Sequence, residues 1–195
     1  MKNYKKLAVT GGIGSGKSLA TEALKEAGYF TLSSDAIVTD LYEKVEVRKL
    51  LKSIFPTAIG DAPDYLIDRK AVAKIAFSNK LKHEELTRTI TPLVMEEIEK
   101  RAKNNEGVTV VEVPLLFECG YEKYFDGVIV ITREKEERIK SVITRSNLSR
   151  EEVIKRMENQ VDYDSLDLSP FAVVKNDCDK ATFINSVLLA VKNLI

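Results

Sequence analysis

The sequence predicts an α/β protein with a mainly parallel, five-stranded sheet covered by helices on both faces. Three observations carry this. Apolar, β-branched runs alternate with amphipathic helical stretches, the pattern of strand–helix–strand crossovers. Two of those runs, VTVVEV at 108–113 and GVIVI at 127–131, lack polar alternation, as strands buried on both faces do. The third is GGIGSGKS at 11–18, set between apolar Leu7-Ala8-Val9 and a helical pattern at 19–27: a strand, a glycine loop and a helix in succession.

In chain order, residues 5–10 form the first strand and YFTL at 29–32 the second. Short amphipathic helices follow at 34–44 and 47–55. Residues 56–64 carry proline, glycine and aspartate and read as a loop. From about 68 to 104 the pattern is helical, longer than a simple crossover needs, and predicts a secondary lobe. Asp68 is placed to cap DRKAVAKIAF, and Pro92 to start or kink a helix running to Lys103. The third and fourth strands are the two apolar runs above. The charged stretch 132–160 reads as two helices joined at Ser146-Asn147-Leu148, with Ser149 and Glu152 spaced as a capping box. FAVV at 171–174 is the fifth strand.

A chain of 195 residues suits one compact core with a small insertion, and 44% apolar content is ordinary for a globular protein. Thirty basic and thirty acidic residues cancel, so no global charge recruits nucleic acid or an anionic membrane. The basic N-terminus precedes too short an apolar segment for a signal peptide, and no run reaches membrane-span length. Cys119 and Cys178 have no metal-type spacing and read as free thiols of a reducing compartment. The expectation is a cytoplasmic protein.

Glycine, four residues, then Gly16-Lys17-Ser18 is the phosphate-loop spacing. Its glycines let backbone N–H groups turn around phosphate oxygens, and the helix that follows adds its own unpaired N–H groups and dipole. Gly12, Ile13, Gly14, Ser15, Gly16, Lys17, Ser18 and Leu19 are therefore candidate triphosphate contacts. Lys17 reaches the β- and γ-phosphates, and Ser18 holds Mg²⁺. The loop alone leaves ATPases, GTPases and small-molecule kinases open. Asp35, after the second strand, is either a base for a hydroxyl near the γ-phosphate or a cap of the helix at Ala36. Glu112, at the end of the third strand, either supports Mg²⁺ through water or is a satisfied strand-end acid. Pro114-Leu115-Leu116-Phe117 either meets an acceptor or fills the core, the latter being the default for the leucines. Among Arg133, Arg138, Arg145, Arg150 and Arg156, most fit a solvated helix of Glu–Arg pairs, and Arg145 is the best candidate for a mobile lid. His83, the only histidine, reads as a surface residue.

Taken together, LAVTGGIGSGKS at 7–18, SSDAI with Asp35, IDRKAVAKIAFSN at 67–79, ITPLV at 90–94, VEVPLLFE at 111–118, the TRSNLSREEV segment and VVKN ending at Asn176 resemble the dephospho-coenzyme A kinase family. The resemblance implies a P-loop kinase fold: a core of 1–60, 106–132 and 161–195, a helical acceptor-binding region at about 61–105, and a lid at about 133–160. It implies transfer of the γ-phosphate of ATP, with Mg²⁺, to the ribose 3′-hydroxyl of dephospho-coenzyme A. Asp35 becomes the base, Lys17 and Arg145 charge stabilisers, and the turn after Asn176 the approach to adenine. Arg69, Thr91, Pro114, Leu115 and Phe117, with Asp35, fall on the acceptor side. ATP and dephospho-coenzyme A are the implied partners of a monomer or weak homo-oligomer. The family usually has His-Pro where this chain has Thr91-Pro92, arginine at Ser141, threonine at Leu19, and Ala-Asp at Pro170-Phe171.

Overall fold

A computed structural model describes residues 3–195. Its sheet has five strands in the order β2-β3-β1-β4-β5: β1 (Tyr4–Thr10), β2 (Phe30–Ser33), β3 (Gly107–Glu112), β4 (Gly127–Thr132) and β5 (Ala172–Lys175). Every pairing is parallel, so the sheet is wholly parallel. β1 is central because its residues 7–10 are apolar or small enough to be buried on both faces. Leu7, Ala8 and Val9 are fully buried. The register sets Val9 and Ser33 on either side of Glu112, and Thr10 beside Val130. The carboxyl ends of β1, β2 and β3 therefore lie together, where open parallel sheets hold their ligands.

One face of the sheet packs on α1 (Lys17–Glu26) and α8 (Lys180–Leu194). Leu7, Val9, Val110, Ile129 and Ile131 meet Ala20 and Leu24 of α1 and Phe183, Val187 and Val191 of α8. Each of the valine, leucine, isoleucine and phenylalanine side chains among them contributes roughly 1.5–3 kcal/mol by leaving water. α8 has no counterpart among the elements expected from sequence, although the signal was present. Asp179 caps it, accepting from the Ala181 and Thr182 N–H groups at 3.0 Å, and Phe183, Val187 and Val191 recur at helical spacing.

The charged stretch is two helices as expected, α6 (Lys135–Ser146) and α7 (Arg150–Glu158). Asn147 between them is left-handed, with φ 51°. The capping box forms, with Glu152 N–H donating to Ser149 Oγ at 3.2 Å and Ser149 N–H to Glu152 Oε2 at 2.8 Å. Ile139, Val142 and Val153 make the apolar core of the pair.

The chain divides into two compact units, Ser34–Lys100 and the sheet-bearing remainder on either side of it. The inserted unit holds α2 (Ser34–Tyr42), α3 (Val45–Ile54), α4 (Arg69–Ser78) and most of α5 (Lys80–Lys103). Asp68 caps α4, its Oδ1 accepting from Ala71 N–H at 3.0 Å. Pro92 does not start a helix. It lies inside α5. A proline there leaves the carbonyl four residues back without its usual donor. Beside it, the Thr91 hydroxyl donates to the Thr87 carbonyl, a back-bond that helices accommodate with a slight bend. His83 also lies on α5 and is half-buried rather than fully exposed. Among the described residues no helix is long and apolar enough to cross a membrane.

Candidate active site

The phosphate loop leaves β1 at Gly11 and enters α1 at Lys17. Its shape is set by positions where only glycine fits. Gly11 has φ 145°, and a Cβ there would lie 2.2 Å from the Ile131 carbonyl oxygen of β4. Gly14 has φ 78°, and its Cβ would meet the Arg138 carbonyl oxygen at 2.5 Å. Both obstacles are backbone and cannot swing away. Ser15 N–H bonds the Gly12 carbonyl at 3.1 Å. Asn176, at the end of β5, donates through Nδ2 to the Ser15 carbonyl at 2.8 Å, and its own N–H bonds the Thr132 carbonyl at 2.8 Å. The loop is thereby tied to the strand tips behind it.

At the start of α1, Gly16 is left-handed and supplies no side-chain cap. The first intrahelical bond is Ala20 N–H to the Gly16 carbonyl, at 3.0 Å. The N–H groups of Lys17, Ser18 and Leu19 thus have no acceptor within the helix, and with the dipole they form an anion-binding end. The Leu19 side chain packs against the sheet core, leaving its backbone to serve that end. Lys17 Nζ folds over the loop, donating to the carbonyls of Gly11 at 2.8 Å and Gly12 at 3.1 Å.

Glu112 closes the site on the β3 side. Its Oε1 accepts from Ser18 Oγ at 3.2 Å and its Oε2 from Thr21 Oγ1 at 3.0 Å. The two hydroxyls satisfy the carboxylate, as the strand-end reading expects, and set it beside Ser18, as the Mg²⁺ reading needs. Thr21 was not singled out from the sequence. The signal was its place three residues after Ser18, on the same helix face.

Asp35 lies in the first turn of α2, which begins a residue earlier at Ser34. It is exposed and is not the helix cap, so the capping reading is set aside. Arg69, also in the inserted unit, pairs with the Glu43 carboxylate and lies 5.9 Å from the centre of the Tyr42 ring. Burial pushes the Tyr42 phenol up, and the Arg69 charge partly offsets this. Thr91 lies on α5, bonded as described above. An open surface depression of about 620 Å³ in this unit is lined by residues of Thr57–Gly60 and Leu66–Lys70, Arg69 among them.

The segment after β3 divides its apolar residues. Leu116 is fully buried and fills the core, while Leu115 is 38% exposed. Pro114 is half-buried. Phe117 packs on Tyr163 at 5.9 Å and on Phe171 at 5.1 Å between ring centroids. Phe171 thus has a packing role in this chain. The Tyr163 hydroxyl lies 3.2 Å from Thr10 Oγ1, just ahead of the loop. Burial, with Glu118 adding to it against the Thr10 hydrogen bond, pushes the Tyr163 phenol from 10.0 up to about 12. The unfolded chain releases this proton first as pH rises. The stabilising contribution is therefore complete below pH 10 and declines as pH climbs toward 12. In thermal melts across that range, Tyr163→Phe should lose stability with pH less steeply than the parent. Equal slopes would show that the phenol titrates alike in both states.

The arginines separate. Arg150 grips Glu136 through two bonds of 2.7 and 2.9 Å, the solvated pairing expected of a charged helix, whereas Arg133, just before α6, pairs with Glu137 at 3.8 Å with its side chain only 27% exposed. Arg145 is exposed in the last turn of α6. Arg138 is 8% exposed, and a Cβ on Gly12 would lie 2.3 Å from its Nη1. Solvation does not describe Arg138, and helical periodicity alone could not reveal that its face meets the loop. Nor did the sequence single out Gln160, whose Oε1 accepts from Ile13 N–H at 2.7 Å; the two are 147 positions apart.

A wholly parallel sheet whose central strand feeds a phosphate loop and an open helix end, with a strand-end carboxylate on the helix serine, defines the P-loop kinases. Within that class the chain belongs to the dephospho-CoA kinase family, whose model matches residues 6–181. A dephospho-CoA kinase of Fusobacterium nucleatum is 33% identical over 172 residues, covering 88% of this chain and 89% of that protein. A crystal structure from Thermus thermophilus superposes with a TM-score of 0.85 at 30% identity, covering 97% of this chain and 96% of the other. A dephospho-CoA kinase from Campylobacter jejuni gives 0.65 at 26% identity, covering 100% and 98%.

Proposed function

We propose that this protein transfers the γ-phosphate of ATP to the ribose 3′-hydroxyl of dephospho-coenzyme A, giving coenzyme A and ADP. The observation that carries the phosphotransfer reading is the meeting of Lys17, the α1 N-terminus and the Ser18–Glu112 pair at the carboxyl ends of β1 and β3. Membership of the family supports the acceptor.

In this reading Gly12–Leu19 hold the triphosphate through the loop and helix-end N–H groups, and Lys17 balances charge on the β- and γ-phosphates. The oxygens of Ser18 and Glu112, 3.2 Å apart, are hard donors of the type Mg²⁺ selects. Ser18 would hold the ion directly and Glu112 through water, where it would neutralise triphosphate charge. Asp35 accepts the proton of the ribose hydroxyl. That oxygen then bonds the γ-phosphorus as the bond to the β-phosphate bridge breaks, and ADP leaves. Arg145 brings positive charge from the lid, 133–160, and the turn after Asn176 receives the adenine. Arg69 and Thr91 of the acceptor region, 61–105, and Pro114, Leu115 and Phe117 bind the acceptor. The protein works as a monomer or weak homo-oligomer in the cytoplasm, a reducing compartment that suits the free thiols of Cys119 and Cys178.

The test is ADP release from Mg·ATP with and without dephospho-coenzyme A, with the product weighed by mass spectrometry. Acceptor-dependent ADP and an acceptor heavier by one phosphate are expected. Nucleotide binding without acceptor-dependent turnover would point to a different acceptor.

A further inference from the structure

Both arms of the α6–α7 hairpin meet the phosphate loop, and they do so at three consecutive loop residues. The Ile13 side chain packs against the hairpin's own apolar core of Ile139, Val142 and Val153. The Ile13 N–H is held by Gln160 at 2.7 Å, two residues beyond the end of α7. On the other arm, the Arg138 guanidinium lies against Gly12, and the Arg138 carbonyl and Val142 lie against Gly14. Arg138 is nine-tenths buried, its Nε has no hydrogen-bond partner among the described residues, and its ion pair is a 3.7 Å contact with exposed Asp164. A buried guanidinium so weakly partnered costs stability, which makes a purely stabilising role a poor account of it.

The remaining surface of the hairpin is charged and solvated. Its own ion pairs, Arg150–Glu136 and Lys140–Glu137, are exposed and constrain its position little. Val161 N–H bonds Glu118 Oε1 at 3.0 Å just after Gln160, fixing the end of the arm but not the helices. At the start of α6 the Glu134 N–H bonds Asp177 Oδ1 at 3.0 Å, so both ends are tied, and between them the hairpin seats on Gly12, Ile13 and Gly14, the loop residues on which the proposed triphosphate would act.

We propose that Gln160 and Arg138 are positioning residues that join the phosphate loop and the α6–α7 hairpin into one mechanical unit, so that a nucleotide phosphate on the loop sets the hairpin bearing Arg145. A ligand biases a second element only through contacts that differ between that element's states. The Gln160–Ile13 bond and the Arg138–Gly12 contact are such contacts. The inference rests on the nucleotide-binding part of the proposed function and makes no demand on the identity of the acceptor.

The experiment is amide hydrogen exchange of the full chain with and without Mg·ADP, comparing the parent with Gln160→Ala, Gln160→Glu and Arg138→Met, alongside Kd for ADP and steady-state kinetics. In the parent, Mg·ADP should slow exchange across residues 135–158. In Gln160→Ala, Kd should stay within about threefold while most of that slowing is lost, and kcat should fall about tenfold with little change in KM for ATP. Gln160→Glu keeps an acceptor oxygen and should recover much of the slowing. Arg138→Met keeps the apolar stem without the charge and should lose the slowing as Gln160→Ala does. Parent-like slowing in both Gln160→Ala and Arg138→Met overturns the inference. So does loss of slowing that tracks loss of Tm, which is a folding defect. A parent that binds no nucleotide would overturn the functional reading as well, whereas parent-like slowing in the variants removes this inference alone.

Discussion

Lys17→Met is expected to lower kcat/KM for ATP by on the order of 10³-fold while the protein stays folded. The ammonium bonds two loop carbonyls, Gly11 and Gly12, and so hangs over the cradle formed by the loop and the α1 end. Charge spreads over the γ-phosphoryl oxygens in the transition state, and removing a single preorganised donor from such a site costs about 10²–10³-fold. The methionine keeps the stem packed but leaves two carbonyls without their donor, so a drop of a few degrees in Tm is expected beside the kinetic loss. Steady-state kinetics and a thermal melt separate the two. A loss under tenfold with an unchanged melt would mean that phosphate charge is balanced elsewhere, and Arg138 would be the first residue to examine.

Asp35→Asn should reduce kcat by about 10²–10⁴-fold, the usual range for a general base, while Kd for ATP stays near that of the parent. The amide is nearly isosteric and cannot accept the ribose proton. Asp35 is exposed in the first turn of α2, so the exchange should cost the fold little. Turnover and nucleotide Kd measured on the same preparation separate the chemical step from binding. A variant that turned over at near-parent rates would remove Asp35 from the role.

Much of the fold was legible because the strands of a buried parallel sheet must be apolar on both faces. The runs at 108–113 and 127–131 could not easily be anything else, and the Ser149–Glu152 box placed α7 through a local hydrogen-bond rule. α8 was missed although Asp179 and the Phe183–Val187–Val191 spacing were there to be read. Pro92 reads in sequence as the start or a kink of a helix running to Lys103, because a proline removes a donor, and α5 reaches Lys103 but begins earlier, at Lys80. The back-bond of Thr91, one residue earlier, belongs to a helix that carries on through it.

In the phosphate loop the residues that carry local geometry are legible in the chain alone: Gly11–Ser18 as the loop and Ser18 as the hydroxyl at the start of α1. The arginines show where such reasoning stops. Arg133, Arg138, Arg145 and Arg150 share one charged helical stretch, and nothing in its periodicity says which guanidinium is buried against Gly12 and which is paired with glutamate in solvent.

By itself, then, the sequence determined the element types, the phosphate-binding turn and the family, since these depend on side-chain periodicity, glycine stereochemistry and contiguous motifs. Only the tertiary structure decided the strand order, the aim of Glu112 at Ser18 and Thr21, the aromatic packing of Phe117, Tyr163 and Phe171, and the grip of Arg138 and Gln160 on the loop. These are contacts between residues from 43 positions apart, as Ile129 and Ala172 are, to 147, as Ile13 and Gln160 are. Their formation depends on which surfaces the packed core brings together, a quantity that no local window of the chain contains.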